Sequence, residues 1–133
     1  MEKRGWMMFA ITLLLWGTAG TAHAGAEKRC KACHDFTTGK NRVGPSLKGV
    51  LGRKAGTYPG YRYEFTTYIK GKPWVWDEEK LRKWDNDAPA AIKEFTGNPD
   101  AHTRMPALHM SGKPEDAIIA YIRKTSDKDA AGK

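Results

Sequence analysis

The last third of the chain carries the clearest hydrophobic period. Ala117, Ile118, Tyr121 and Ile122 recur at i, i+1, i+4 and i+5, one stripe of an α-helix. Pro114 starts that helix, and Glu115 and Asp116 suit its first turn. Residues 98–112 ahead of it have no period and form a loop, and Gly97-Asn98-Pro99 breaks whatever precedes them. Asp87-Ala88-Pro89 opens a short helix, Pro89 to Phe95. Asp77-Glu78-Glu79 before Leu81 and Trp84 opens another, with an acidic first turn after a cap. Glu64 to Lys70 and Glu27 to Asp35 are two more short helical stretches. Between them, residues 37–60 are rich in Gly, Pro and Lys. Val43, Leu47, Val50 and Leu51 punctuate this stretch, so it reads as an ordered loop rather than a linker. No segment alternates as a strand. The expectation is an all-α domain of four to five short helices with long ordered loops.

The N-terminal pattern differs in kind. A short charged start, Glu2-Lys3-Arg4, precedes an apolar run from Trp6 to Trp16 interrupted only by Thr12. Eleven residues are too few to cross ~30 Å of hydrocarbon. Ala22-His23-Ala24 is an A-x-A cleavage pattern, so residues 1–24 are expected to be a secretory signal peptide and 25–133 the domain. Gly17-Thr18-Ala19 offers an alternative cleavage after residue 19. An uncleaved amphipathic anchor is the other reading.

Of 133 residues in all, cleavage after Ala24 leaves 109, one domain with a limited core. The formal net charge of +8 becomes +7 when Lys3, Arg4 and Glu2 leave with the leader. A balance of that size suits nucleic acid, an anionic membrane or an acidic protein partner. No Lys/Arg block or nucleic-acid motif is present, and export makes nucleic acid the weakest of the three.

The chemistry concentrates in Cys30-Lys31-Ala32-Cys33-His34. C-x-x-C-H is the attachment pattern of c-type haem. Two cysteines three apart sit about one helical turn apart on one face, so each thiol can add to one vinyl group on the same porphyrin edge. His34 then lies under the ring as the proximal iron ligand. The chain has two cysteines in all, so no other thiol competes. A redox C-x-x-C would need a βαβ context, and a zinc site more ligands nearby.

With this motif near the mature N-terminus, the chain resembles the small soluble class I cytochromes c, the group of mitochondrial cytochrome c and its bacterial relatives. The resemblance covers about residues 26–124. Gly44-Pro45-Ser46-Leu47-Lys48-Gly49-Val50-Leu51-Gly52-Arg53-Lys54-Ala55-Gly56, followed by Pro59-Gly60-Tyr61-Arg62-Tyr63, is its most specific stretch after the motif. The resemblance implies the cytochrome c fold around one haem c, covalent through Cys30 and Cys33. It implies that the Pro45 carbonyl accepts the His34 ring N–H, and that Arg53, Tyr63 and Trp76 hydrogen-bond a buried propionate. The candidates for sixth ligand are Met105, Met110, His102 and His109. Thr103-Arg104-Met105 resembles the family's Thr-Lys-Met element and implies Met105. The chain departs from the pattern in three places: Ala26 stands where an aromatic residue is usual, the first helix is short, and extra chain lies between Trp84 and Met105.

The expected function is a periplasmic single-haem electron carrier, monomeric and not an enzyme, with His34 and Met105 holding the iron through Fe(III)/Fe(II) cycling. Its expected partners are acidic redox proteins or membrane complexes: a reductase, oxidase, reaction centre or dehydrogenase. Arg29, Arg42, Arg104 and Lys113, with Lys31, Lys40 and Lys48 nearby, are the expected steering cations. The rival readings are a haem enzyme or sensor with an open sixth site, a dedicated cytochrome subunit of a dehydrogenase, and a haem-free thiol–disulfide module.

Overall fold

The computed structural model describes residues 25–132, so the expected leader lies outside the described residues. Four helices follow in order: α1 Glu27–Lys31, α2 Thr66–Ile69, α3 Glu78–Thr96 and α4 Gly112–Ala131. Among the described residues there is no strand, and no helix is long and apolar enough to cross a membrane. One antiparallel bridge, Lys54 with Val75, has no signature in the hydrophobic pattern. It joins the long loop to the tryptophan segment through Trp76 N–H to Arg53 O (2.9 Å) and Ala55 N–H to Trp74 O (2.8 Å).

Local chemistry sets the helix ends. Asp77 is extended and its carboxylate accepts from the Lys80 N–H at 2.8 Å, satisfying a donor that the first turn of α3 leaves open. Gly97 closes α3 at φ 65°, a conformation that suits glycine. Three helices have other bounds than expected. α1 stops at Lys31 rather than Asp35, because Cys33 and Asp35 turn their carbonyls to the loop, accepting from Gly44 N–H and Leu47 N–H. α2 is reduced to one turn, ended by Lys70 in the left-handed region (φ 49°). α4 begins at Gly112, two residues before Pro114.

The expected pair of helices before and after Asp87 is one kinked element. Asp87 is non-helical (φ −148°, ψ 84°), and its side chain accepts from the Ala90 N–H at 3.0 Å. The second segment thus has its own cap, and Pro89 falls in its first turn, where a missing N–H costs little. The kink returns Phe95 to Trp84, ring against ring at 6.3 Å and 13°. Trp74, Trp76 and Phe65 complete this aromatic cluster, with Trp76 to Trp84 at 5.2 Å and Phe65 to Trp84 at 5.8 Å. The extra chain between Trp84 and Met105 is therefore part of the core.

α4 packs on both α1 and α3. Ile118, Ile119 and Ile122 are fully buried in one core with Ala88 and Ile92 of α3, while Ala117 and Tyr121 are half-buried. Ala26, standing where the family has an aromatic residue, packs on that core as well. Tyr121 is covered instead by the edge of Phe36 at 5.1 Å and the Lys31 ammonium at 4.6 Å.

Asp77→Ala should cost about 1 kcal/mol at neutral pH, read from urea unfolding. Hydrogen bonds from the Lys80 side chain and backbone hold the Asp77 carboxyl below its ordinary 3.8. Its contribution is therefore fully present above that value and is lost as pH falls through the lower, folded value. Wild type and variant should converge at strongly acid pH.

Candidate functional site

One turn of chain after α1 builds the first wall of the site. Cys33 N–H and His34 N–H both donate to Cys30 O, at 3.1 and 2.8 Å, so the two thiols and the imidazole leave the backbone within a single tight turn. The loop then closes on the ring. His34 Nδ1 lies 2.7 Å from Pro45 O; a carbonyl can only accept, so Nδ1 carries the proton and Nε2 keeps a free lone pair. A Cβ built on Gly44 would stand 2.3 Å from His34 Cε1 and 2.7 Å from Nδ1. Only glycine allows that approach. Burial lowers the His34 pKa from the ordinary 6.5, against the opposing Pro45 bond, so the imidazole is neutral at pH 7.

All eight sequence-predicted site residues line one cavity of about 200 Å³: Cys30, Cys33, His34, Pro45, Arg53, Tyr63, Trp76 and Met105. Arg53 is held in place from behind. Its guanidinium donates to Ser46 O (2.8 Å) and Lys48 O (3.1 Å) and lies over the Tyr58 ring at 4.5 Å. The other sixth-ligand candidates are elsewhere. Met110 is 3% exposed in the core and does not line the cavity. His102 bonds Tyr68 Oη at 2.7 Å, and His109 is exposed.

Among the other lining residues, two carry polar chemistry that the sequence reading did not assign. Trp84 Nε1–H donates to Met105 Sδ at 2.9 Å. Asp85 is 6% exposed, and its Oδ2 meets no donor. The signal for Asp85 was present: Leu81, Asp85, Ala88 and Ile92 run at i, i+4, i+7 and i+11, so a carboxylate stands in a buried stripe. Burial pushes its pKa up to about 7, with the Glu115 charge adding and Arg82 opposing. Burial, and then the Asp85 charge, pushes the Cys30 thiol up to about 12. A thiol held so high is a poor thiolate, which disfavours thiol–disulfide chemistry. Among the described residues, no cluster of three or more His, Cys, Asp or Glu could hold a metal ion.

The donor set fits an iron porphyrin. It comprises two thiols in one turn, an imidazole with Nε2 unused, and a thioether. The Trp84 N–H takes one sulfur lone pair of that thioether and leaves the other.

Comparison with known proteins agrees. A cytochrome c2 iso-2 of Magnetospirillum fulvum is 48% identical over 96 residues, 71% of this chain and 88% of that one. A cytochrome c2 of Rhodospirillum rubrum is 34% identical over 131 residues, 91% of this chain and 97% of that one. Among solved structures, cytochrome c2 from Rhodospirillum centenum superposes with a TM-score of 0.68 at 28% identity, over 78% of this chain and 95% of its own. Ferric cytochrome c-550 from Paracoccus versutus gives 0.64 at 29% identity, over 78% and 97%. No family model matches the chain.

Gly44→Ala should force the imidazole or the loop to move, at a cost of about 1–3 kcal/mol in the haem-loaded protein. The guanidinium midpoint would show it; an unchanged midpoint would refute the close approach.

Proposed function

Because the chain belongs to the cytochrome c2 family of small class I c-type cytochromes, single-haem electron-transfer proteins carrying covalent haem c, we propose that it shuttles electrons in the periplasm with His34 and Met105 as axial ligands. When bound, the haem supplies a one-electron Fe(III)/Fe(II) couple. The residues of the chain do the rest. Cys30 and Cys33 tether the porphyrin edge. The Pro45 carbonyl fixes the His34 tautomer and ring angle and strengthens Nε2 as a donor. Trp84 holds the Met105 thioether in one orientation, so little reorganisation accompanies electron exchange. Arg53, Tyr63 and Trp76 supply donors for a propionate that would otherwise be a costly buried charge.

The observation that carries this reading is the convergence of His34 and Met105, from the first and last thirds of the chain, on one cavity. A leader over residues 1–24, or 1–19, takes the chain across the membrane, and residues from 25 onward form the domain. Cationic side chains steer it to acidic redox proteins or membrane complexes such as a reductase, oxidase, reaction centre or dehydrogenase. Arg29 and Arg42 suit this role. Both are exposed, and they donate to the Leu108 and Lys31 carbonyls without losing their charge. Arg104 and Lys48 suit it less, being paired with Glu64 and Asp129.

Met105→Ala should lose the weak far-red sulfur-to-iron band of the ferric protein, lower the potential and open ferrous iron to carbon monoxide. Met110→Ala should keep all three properties and instead cost about 2–5 kcal/mol of stability. The reverse pattern would transfer the ligand role to Met110. The steering role predicts that oxidation by ferricyanide, an anion, slows steeply with added salt, while oxidation by a cationic cobalt(III) complex does not. Equal salt responses would remove it.

A further inference from the structure

Asp85 is the one buried carboxylate on the cavity wall, and the electron-carrier reading gives it no task. It follows Trp84 in α3, so it sits one residue from the indole that holds Met105. Its helix neighbours on the buried face, Leu81, Ala88 and Ile92, are apolar. No cation is dedicated to it. From α3 itself, Arg82 is the nearest positive influence. That guanidinium is spent on two carboxylates of α4, Glu115 at 3.1 Å and Asp116 at 2.7 Å. Glu115 adds repulsion from the same side. From α1, Cys30 faces Asp85, with Arg29 and Glu27 acting on that thiol in opposite senses. Thioether formation removes the Cys30 charge altogether. Of the other cavity-lining cations, Arg53 is bound to backbone carbonyls, Arg104 to Glu64 and Arg29 to the Leu108 carbonyl, while Arg62 is exposed to solvent.

We propose that the Asp85 carboxylate takes up a proton when the haem takes up an electron, so that this protein couples reduction to protonation within its own core. The balance is one electron from the redox partner and one proton from water. Iron goes from Fe(III) to Fe(II), and one O–H bond forms at Asp85, turning carboxylate into carboxylic acid. The physical reason is charge. Reduction removes one positive charge from the centre, and a buried carboxylate with an unpartnered oxygen, opposed by Glu115 and only weakly helped by the engaged Arg82, then holds a proton more tightly. In a core of effective dielectric about 20, the loss of one nearby unit charge alters proton affinity by roughly tenfold. Burial already brings this carboxyl to about 7, where such a change alters its protonation.

The test is a spectroelectrochemical titration of the haem-loaded protein across roughly two pH units either side of 7. The reduction equilibrium constant of the wild type should fall about tenfold from the acid to the alkaline end. Asp85→Asn, neutral throughout, should be flat and stay near the acid-side wild-type value. Redox-difference infrared spectra at pH 7 should show a protonated-carboxyl C=O band appearing on reduction and missing in Asp85→Asn. Should that variant not fold, ¹³C labelling of the aspartate carboxyls would assign the band in the wild type by its isotope shift. A flat wild type, or an equal pH response in Asp85→Asn, overturns the proposal while leaving the electron carrier intact. The proposal rests on the haem reading, and a protein with no reversible one-electron couple would overturn both.

Discussion

Everything on the cysteine side of the cavity depends on a loop lying against one imidazole ring. The Pro45 carbonyl reaches His34 Nδ1 at 2.7 Å, and the missing side chain of Gly44 makes room for the ring. That contact selects the tautomer, frees Nε2 and fixes where the loop begins. From there the chain is tied down step by step. Gly44 N–H and Leu47 N–H return to the carbonyls of Cys33 and Asp35, Arg53 binds the carbonyls of Ser46 and Lys48, and Trp76 N–H binds Arg53 O. A stretch with almost no regular secondary structure is thereby held as firmly as a helix. Its backbone groups find specific partners.

The other side of the cavity is organised by aromatic packing. Trp84 lies within a cluster of Trp74, Trp76, Phe65 and Phe95, which leaves its indole N–H one productive direction, toward Met105 Sδ. The kink at Asp87 is what brings Phe95 into that cluster. The same helix carries an electrostatic tension. Asp85 occupies a core position with an oxygen unpaired, and its one nearby arginine serves Glu115 and Asp116. Tension of that kind in a small domain with a limited core is a cost that packing alone does not explain.

Legibility in the sequence followed the range of each interaction. The pentapeptide Cys30 to His34, the Asp77 cap and the stripe through Ile118 and Ile122 are all written in neighbouring residues. Each appears where local spacing placed it. The role of Pro45, by contrast, was implied only by the family resemblance. The bounds of α1 and α2 were less legible, because both ends are decided by loop partners distant in the chain. The bridge between Lys54 and Val75 left no alternating pattern, since a single pair of residues has no period.

The sequence by itself determined the cofactor chemistry. Two thiols and an imidazole at that spacing leave little else to do, whereas the late methionine was singled out only by the resemblance of Thr103-Arg104-Met105 to a family element. Tertiary structure alone decided between Met105 and Met110 as a lining residue, burying Met110 in the core and turning Met105 to the cavity. It also decided that Trp84 would hold that sulfur and that Asp85 would share the pocket with an oxygen that meets no donor. The reason is the same in each case: burial and pairing depend on residues that meet only when α3, α4 and the loop between them pack, and no local spacing records that meeting.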